Sequence, residues 1–193
     1  AISFGYFTRF EEVRRPLGER ELVRRWTGGG IVEHGRDFTY SLVVPKRQLE
    51  GLGPPVGTYE LIHHALARAL VRAGVAADVI GEAHARKPAG ARDTPGSACF
   101  ENPVPHDVMI EGRKAAGAAQ RRTRRGLLHQ GSVQGLEQGR GGAMADWRAR
   151  LAVSLPEALC SSSAPREFTP AEAAASSRLA ETKYASEAWL RRC

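Results

Sequence analysis

Three stretches of the chain hold residue types able to do covalent chemistry. SACFENP, residues 97–103, carries Cys99. A cysteine attacks as its thiolate, and a neighbouring lysine or arginine lowers its pKa from about 8.5. GRKAAGAAQRRTRR, residues 112–125, holds six cations in fourteen residues, and Lys114 opens a run of alanines and glycine. An ammonium beside a floor of small residues can polarise a carbonyl. RRWTGGGIVEH, residues 24–34, sets three consecutive glycines after an expected strand. Amides without side chains can approach an acyl carbonyl or a phosphate and form an anion-binding hollow, and Arg24, Arg25 and His34 flank it.

Each stretch also has a plainer reading. A lone cysteine packs as a small core hydrophobe, three glycines make a flexible turn, and the arginines at 113, 121, 122, 124 and 125 form a solvated hairpin edge that discourages strand pairing. His129 in GLLHQGSV can serve as acid or base by residue type, and equally as a structural histidine. His63 and His64 cannot both face inward from one helix, and neither receives a role. No Ser-His-Asp set is recognisable by spacing. With no CxxC and no HxxxH, no metal site is expected. The triple glycine matches neither GxxxxGK[ST] nor GxGxxG, which removes support from ordinary nucleoside triphosphate and dinucleotide folds.

The elements that must hold these groups follow from periodicity. Alternation and β-branched residues predict strands at Ile2–Phe7, Leu22–Arg25 and Phe38–Val44, the last closed by Pro45. In TYELIHHALARALVRAG the apolar residues Leu61, Ile62, Ala65, Leu66, Ala69 and Leu70 share one helical face, with Thr58 placed to cap the start and Gly74 to end it. Residues 81–97 carry proline, glycine and charge without a period and read as a loop. DVMIEG, KAAGAAQRR and GLLHQGSV then read as an antiparallel meander turned at GR and at TRRG. Alanine and glycine are poor strand formers, so the middle strand needs a reason beyond propensity, such as the close approach of a ligand or another backbone. After a second loose stretch, GLEQGRGG, one helix is expected over Asp146–Leu159. Another follows TPAE, where Thr169 caps, Pro170 takes the first helical position and Glu172 closes a capping box. The serines at 161–163 link the two.

At 193 residues and 42% hydrophobic content, one substantial core is affordable. The formal charge of +7 favours acidic partners. Nucleic acid is the sharper version of that reading, but residues 112–125 contain no aromatic for base stacking. Three widely spaced cysteines, Cys99, Cys160 and Cys193, suit a reducing compartment. No apolar run nears the roughly 20 residues of a spanning helix and no signal segment opens the chain, so no membrane role and a cytoplasmic location are expected. The chain opens without methionine on AISFGYF, like a strand entered midway.

Taken in order, ISFGYF, RRWTGGGIVEH with FTYSLVVP, ACFENP, GRKAAGAAQRR with GLLHQGS, and KYASEAW resemble the lipoate-protein ligase and octanoyltransferase family, relatives of the biotin-protein ligase catalytic domain. The resemblance implies an α+β fold, a mixed β-sheet flanked by helices. It implies a catalytic domain over residues 1–145, a C-terminal helical extension over 146–193 packing on the same domain, and an N-terminal family segment absent from this chain. It further implies transfer of octanoyl or lipoyl groups to a lysine on the lipoyl domains of 2-oxoacid dehydrogenases or on the glycine cleavage H protein.

Two branches stay open. In the transferase branch the donor is octanoyl-acyl carrier protein, no cofactor is needed, and the resemblance makes Cys99 the nucleophile and Lys114 the cation facing the acyl carbonyl. The substrate would then lie against Arg25, Thr27, Gly28, Gly29, Gly30, His34, Gly117, Ala118 and His129. In the ligase branch ATP with Mg activates free lipoate as lipoyl-AMP, and Arg25, Gly30, Ile31, Val32, Glu33 and Lys114 would line the nucleotide site. Gly30 and the His106-Asp107 pair resemble the ligases, while FTYSL and ACFENP resemble the transferases. For either branch, Ala115, Ala116, Gly117 and Ala118 would leave room for a saturated chain, and the arginines after Lys114 would form a docking rim for acidic carrier or lipoyl domains.

Overall fold

The computed structural model describes residues 1–17, 19–35, 37–81, 103–135, 143–158, 164 and 166–192. The expected loop at 81–97 lies, from residue 82 onward, outside the described residues. So do Cys99, most of GLEQGRGG and the serines at 161–163. The described chain forms two compact units.

The first unit draws on residues 1–35 and 164–192. Strand β1 (Ile2–Phe4) lies between β2 (Leu22–Arg24), parallel to it, and β3 (Val32–Glu33), antiparallel. This small sheet is the mixed one. The expected strand through Phe7 stops at Phe4, because the chain bends at Gly5 to run against the glycine loop: Tyr6 N–H donates to Thr27 C=O at 2.8 Å, and a Cβ on Gly5 would collide with the Gly29 carbonyl. Helix α1 (Phe10–Leu17), which periodicity had not singled out, carries Phe10, Val13 and Leu17 on one stripe. They pack on Ile2, Phe4 and Ile31.

The C-terminal segment completes this unit. Helix α5 (Pro170–Leu179) starts as expected, with the Thr169 side chain accepting from Glu172 N–H and the Glu172 carboxylate accepting from Thr169 N–H. A single π-helical turn, Ala180–Tyr184, leads toward α6 (Glu187–Leu190). Trp189 is buried, and its indole N–H donates to Arg24 C=O at 3.0 Å. The Arg24 guanidinium, 1% exposed, donates to the carbonyls of Tyr6, Thr8 and Leu190. Trp26 stacks on Trp189 with 4.9 Å between ring centroids.

The second unit is a five-stranded antiparallel sheet, order β4-β8-β7-β6-β5. Its strands are β4 (Phe38–Pro45), β5 (Ala77–Val79), β6 (Val108–Ile110), β7 (Arg113–Thr123) and β8 (Gly126–Val133). The expected meander is β6–β7–β8, with TRRG as a two-residue turn between Thr123 and Gly126. After α2 (Lys46–Leu49) and a 3-10 turn (Glu50–Leu52), helix α3 (Pro55–Arg72) packs one face of this sheet together with α4 (Ala143–Ala158). The core gathers Ile62, Leu66 and Leu70 with Val108, Ala116, Val133, Leu151 and Leu155.

Helix α3 begins a turn earlier than expected. Pro55 opens it, and Thr58 is buried one turn in, where its hydroxyl donates to Leu52 C=O instead of capping. Gly74, at φ +84°, ends it as expected. Of the two adjacent histidines, His63 is inside and His64 outside. The architecture is α+β, with mixed strand direction confined to the small sheet. Among the described residues no helix is long and apolar enough to cross a membrane.

Candidate functional site

Lys114 sits at the second residue of β7, where a β-bulge interrupts pairing with β6. Val108 pairs with Ala116 but Met109 with Lys114, so Ala115 is the extra residue. An inserted residue offsets the alternation of side chains by one. Lys114 and Gly117 would point to opposite faces of an unbroken strand, and here they meet. A Cβ on Gly117 would lie 2.7 Å from Lys114 Cε and 3.0 Å from Nζ. The small residue that β propensity disfavours is required because the lysine stem occupies its side-chain space.

The ammonium is held. Lys114 Nζ lies 2.8 Å from Asp107 Oδ2, with the two side chains 3% and 0% exposed. Asp107 precedes β6, and its carboxylate accepts two further hydrogen bonds. Val104 N–H donates to Oδ2 at 2.8 Å, and the Tyr59 hydroxyl from α3 donates to Oδ1 at 2.6 Å. The same Tyr59 oxygen accepts from Ala118 N–H at 3.1 Å. His106, immediately before Asp107, has φ +71°, a left-handed conformation costly for a non-glycine residue. Burial beside the Asp107 carboxylate drives the Tyr59 pKa far above its usual 10, so its hydroxyl keeps its proton and remains a donor.

A second buried group lies on the α3 side of the sheet. His129 has no exposed surface. Gln120 Nε2 donates to its Nδ1 at 3.2 Å, leaving the ring proton on Nε2, 3.2 Å from the Tyr40 hydroxyl. Burial, and then the neighbouring His63, push its pKa down to about 3. His63 donates from Nδ1 to His106 C=O at 2.6 Å; burial lowers it to about 4. Both are neutral imidazoles at ordinary pH. A cavity of about 460 Å³ opens on this side, with Tyr59, Val104, His106, Ala118 and Gln120 in its wall.

The face of β7 and β8 that carries Gly117 is the other one. Alternation from Gly117 adds Ala119, and the cross-strand register opposes Gly117 to Ser132 and Ala119 to Gln130. Of the β7 and β8 residues expected to touch substrate, Lys114 and Gly117 therefore share a face, whereas Ala118 and His129 turn toward α3. Ala115 and Ala116 are buried. Ala119, Gln130 and Ser132 were not singled out by the sequence, although their parity with Gly117 is readable once the strand is assumed. Tyr59 and Asp107 were not assigned either; no local pattern joins positions 59, 107 and 114.

The arginines also divide. Arg122 reaches back to α3, donating to Gly53 C=O at 3.0 Å and to Thr58 Oγ1 at 2.6 Å. It is an anchor and does not stand free on a hairpin edge. Arg124 and Arg125 are exposed at the tip of the β7–β8 turn, about 30 Å along the strand from Lys114 at roughly 3.3 Å per residue. A rim at that distance does not border the lysine.

In the first unit, Arg25 closes the glycine loop. Its guanidinium donates to Gly28 C=O at 3.0 Å, to Gly30 C=O at 2.7 Å and to Ser3 Oγ at 2.8 Å. Ser3 Oγ lies 2.6 Å from His34 Nε2. Thr27 is fully buried and Gly29 has φ +87°. Arg25, Thr27, Gly28, Gly29, Gly30 and His34 thus form one locally braced loop. Ile31 and Val32 point into the core, and Glu33 pairs with Arg20 at the surface. Cys99 lies outside the described residues, and so does the contact expected between it and Lys114. Among the described residues no group of three His, Cys, Asp or Glu side chains is arranged to hold a metal.

Comparison with known proteins separates two kinds of relative. The chain is 32% identical over 139 residues to an octanoyltransferase LipM of Brevibacillus brevis, covering 68% of this chain and 49% of that protein. It thus spans about half the length of the curated relatives it matches. Similar solved structures include a lipoate-protein ligase A bound with ATP, at TM-score 0.68 and 19% identity over 99% of this chain and 81% of that one. Another is a bipartite lipoate protein ligase from Thermoplasma acidophilum, studied with its E2 lipoyl domain, at TM-score 0.63 and 20% identity over 98% of this chain and 79% of that one. At such identities the structures speak for the fold alone. Residues 2–134 match the family model of the lipoyl protein ligase A/B catalytic domain, and the chain belongs to that family.

Proposed function

We propose that the chain transfers octanoyl groups to the acceptor lysine of a lipoyl domain, with octanoyl-acyl carrier protein as donor and Cys99 as the residue that carries the acyl group between them. The observation that carries this reading is the Lys114 ammonium, buried 2.8 Å from Asp107 against the Gly117 floor. The octanoyltransferase relative supports the choice of acyl group. The H protein of glycine cleavage and the lipoyl domains of 2-oxoacid dehydrogenases are the acceptors this reading names. The solved ligase studied with an E2 lipoyl domain supports that acceptor class.

In the first step the Cys99 thiolate attacks the donor thioester. A bond forms from its sulfur to the acyl carbon, the bond to the carrier sulfur breaks, and the carrier thiolate leaves and takes up a proton. Lys114 polarises the acyl carbonyl, and backbone amides steady the tetrahedral oxyanion. In the second step the acceptor amine, which must first lose the proton it holds below about pH 10.4, attacks the acyl carbon, gives its second proton to solvent as the amide forms, and Cys99 leaves as thiolate. Holding the amine against that carbon supplies much of the acceleration. The chain rests on the face carrying Gly117 and Ala119, where each buried methylene contributes about 0.8 kcal/mol.

The ATP-dependent ligase is the alternative, with Mg and the glycine loop holding the nucleotide. The octanoyltransferase relative favours the transferase over it. Intact-mass analysis after exposure to octanoyl-carrier protein tests the main reading. The wild type should gain one octanoyl group and Cys99→Ala none. An unmodified wild type that releases pyrophosphate from ATP and lipoate would establish the ligase instead, and a Cys99→Ala variant with full turnover would remove the cysteine from the mechanism.

A further inference from the structure

Tyr59 stands on α3, in the helical layer behind the sheet, yet its hydroxyl is the only side-chain group described as bonded both to the carboxylate that holds Lys114 and to the strand that carries it. The two hydrogen bonds have different jobs. Accepting from Ala118 N–H pins the tyrosine oxygen to β7 past the last residue of that strand paired with β6, which is Ala116. Donating to Asp107 Oδ1 fixes the plane of the carboxylate, whose Oδ2 accepts from Val104 N–H and meets the ammonium. The ring is itself held in place, 4.0 Å between centroids from His63, whose Nδ1 is bonded to His106 C=O.

The resting place of Lys114 is therefore set from the far side of the sheet. A carboxylate free to rotate would offer the ammonium either oxygen. Gly117 tolerates one position of the lysine stem closely, since even a methyl group there would touch it. We propose that Tyr59 is a positioning residue for the transfer reaction: through Asp107 it sets where the Lys114 ammonium rests, without touching the acyl group itself. This rests on the reading of Lys114 as the cation that faces the acyl carbonyl.

Four versions of the full chain test it: wild type, Tyr59→Phe, Asp107→Asn and the double variant, with Lys114→Ala as the control on the underlying assignment. The first readout needs no turnover. The labelling rate of Lys114 by an amine-reactive reagent, measured by peptide mass spectrometry, should rise at least about threefold in Tyr59→Phe, because one charged-group hydrogen bond no longer fixes its partner. The second is octanoyl transfer to a lipoyl domain. Tyr59→Phe should lose about tenfold in kcat, the scale of one such bond, with KM for the donor within a factor of about two. The double variant should be no slower than Asp107→Asn alone, since both act on one interaction.

A wild-type labelling rate in Tyr59→Phe, or losses that multiply in the double variant, would overturn the proposal. Should Tyr59→Phe fold poorly, site-specific 3-fluorotyrosine keeps the ring shape and strengthens the donor; an unchanged kcat and labelling rate with that residue would overturn it equally. A fully active Lys114→Ala removes the catalytic reading of the lysine, whereas altered labelling in Tyr59→Phe still registers the coupling. The two failures are thereby told apart.

Discussion

Replacing Gly117 with alanine places a methyl carbon 2.7 Å from Lys114 Cε and 3.0 Å from its Nζ. Carbon atoms rest about 3.5–4.0 Å apart, so the lysine stem must retreat by roughly 1 Å. Its tip is flexible and the nearest groups are side-chain atoms, with Asp107 Oδ1 next at 3.4 Å. The fold can yield there without moving backbone. Overpacking costs about 1–3 kcal/mol in general, and the lower end applies. Activity is a different matter, because the ion pair at 2.8 Å cannot survive such a retreat at hydrogen-bond length. A displacement of about 1 Å at a catalytic group costs on the order of a hundredfold in rate. The assay measures octanoyl transfer and urea unfolding on the same preparation of Gly117→Ala. A transfer rate within about threefold of wild type, or a loss that merely follows the unfolded fraction, would refute the assignment of Gly117 as the floor of the lysine.

Two other outcomes follow from burial. His63 and His129 titrate near 4 and 3 in the folded protein but near 6.5 when unfolded. Between those values the unfolded chain binds more protons, so their contribution is complete above about pH 6.5 and is lost progressively as the pH falls toward 3–4, by up to about 1.4 kcal/mol per pH unit for each histidine. Urea midpoints at pH 7.5, 6 and 5 check this: a flat profile contradicts it, and His63→Phe should flatten the slope. Arg24→Met removes the donor that serves three carbonyls and should cost about 3 kcal/mol in denaturant unfolding; a neutral variant would show that water satisfies those carbonyls.

What the sequence made legible was local. The capping box at Thr169, the apolar face of α3 and the turns of the meander are each specified within a few residues, and the ordered motifs carried the family. Helix α1 was obscured because its apolar stripe is only Phe10, Val13 and Leu17, among Glu11, Glu12, Arg14 and Arg15. The start of α3 is ambiguous in the sequence, since Thr58 is a good cap by type while Pro55 a turn earlier is equally good at a first helical position. The face of β8 was not readable either. GLLHQGSV shows no strict contrast between alternate residues, so nothing local says that His129 turns toward α3 and Gln130 away. Lys114 stands out in the sequence by type, but its partners do not, because the bulge at Ala115 decides which glycine it meets. Asp107 and Tyr59 arrive from other elements altogether.

The tie between Arg24 and Leu190 also governs the order in which the protein can be assembled. The guanidinium emerges from the ribosome some 165 residues ahead of one of its carbonyl acceptors and of Trp189, the indole that caps its own carbonyl. The intervening sheet and helices can settle as they appear, since domains fold as units during translation. The opening strands must wait with the Arg24 site incomplete, its Tyr6 and Thr8 acceptors present and its Leu190 acceptor still missing, which makes a nascent or prematurely terminated chain the form most exposed to chaperones and proteases.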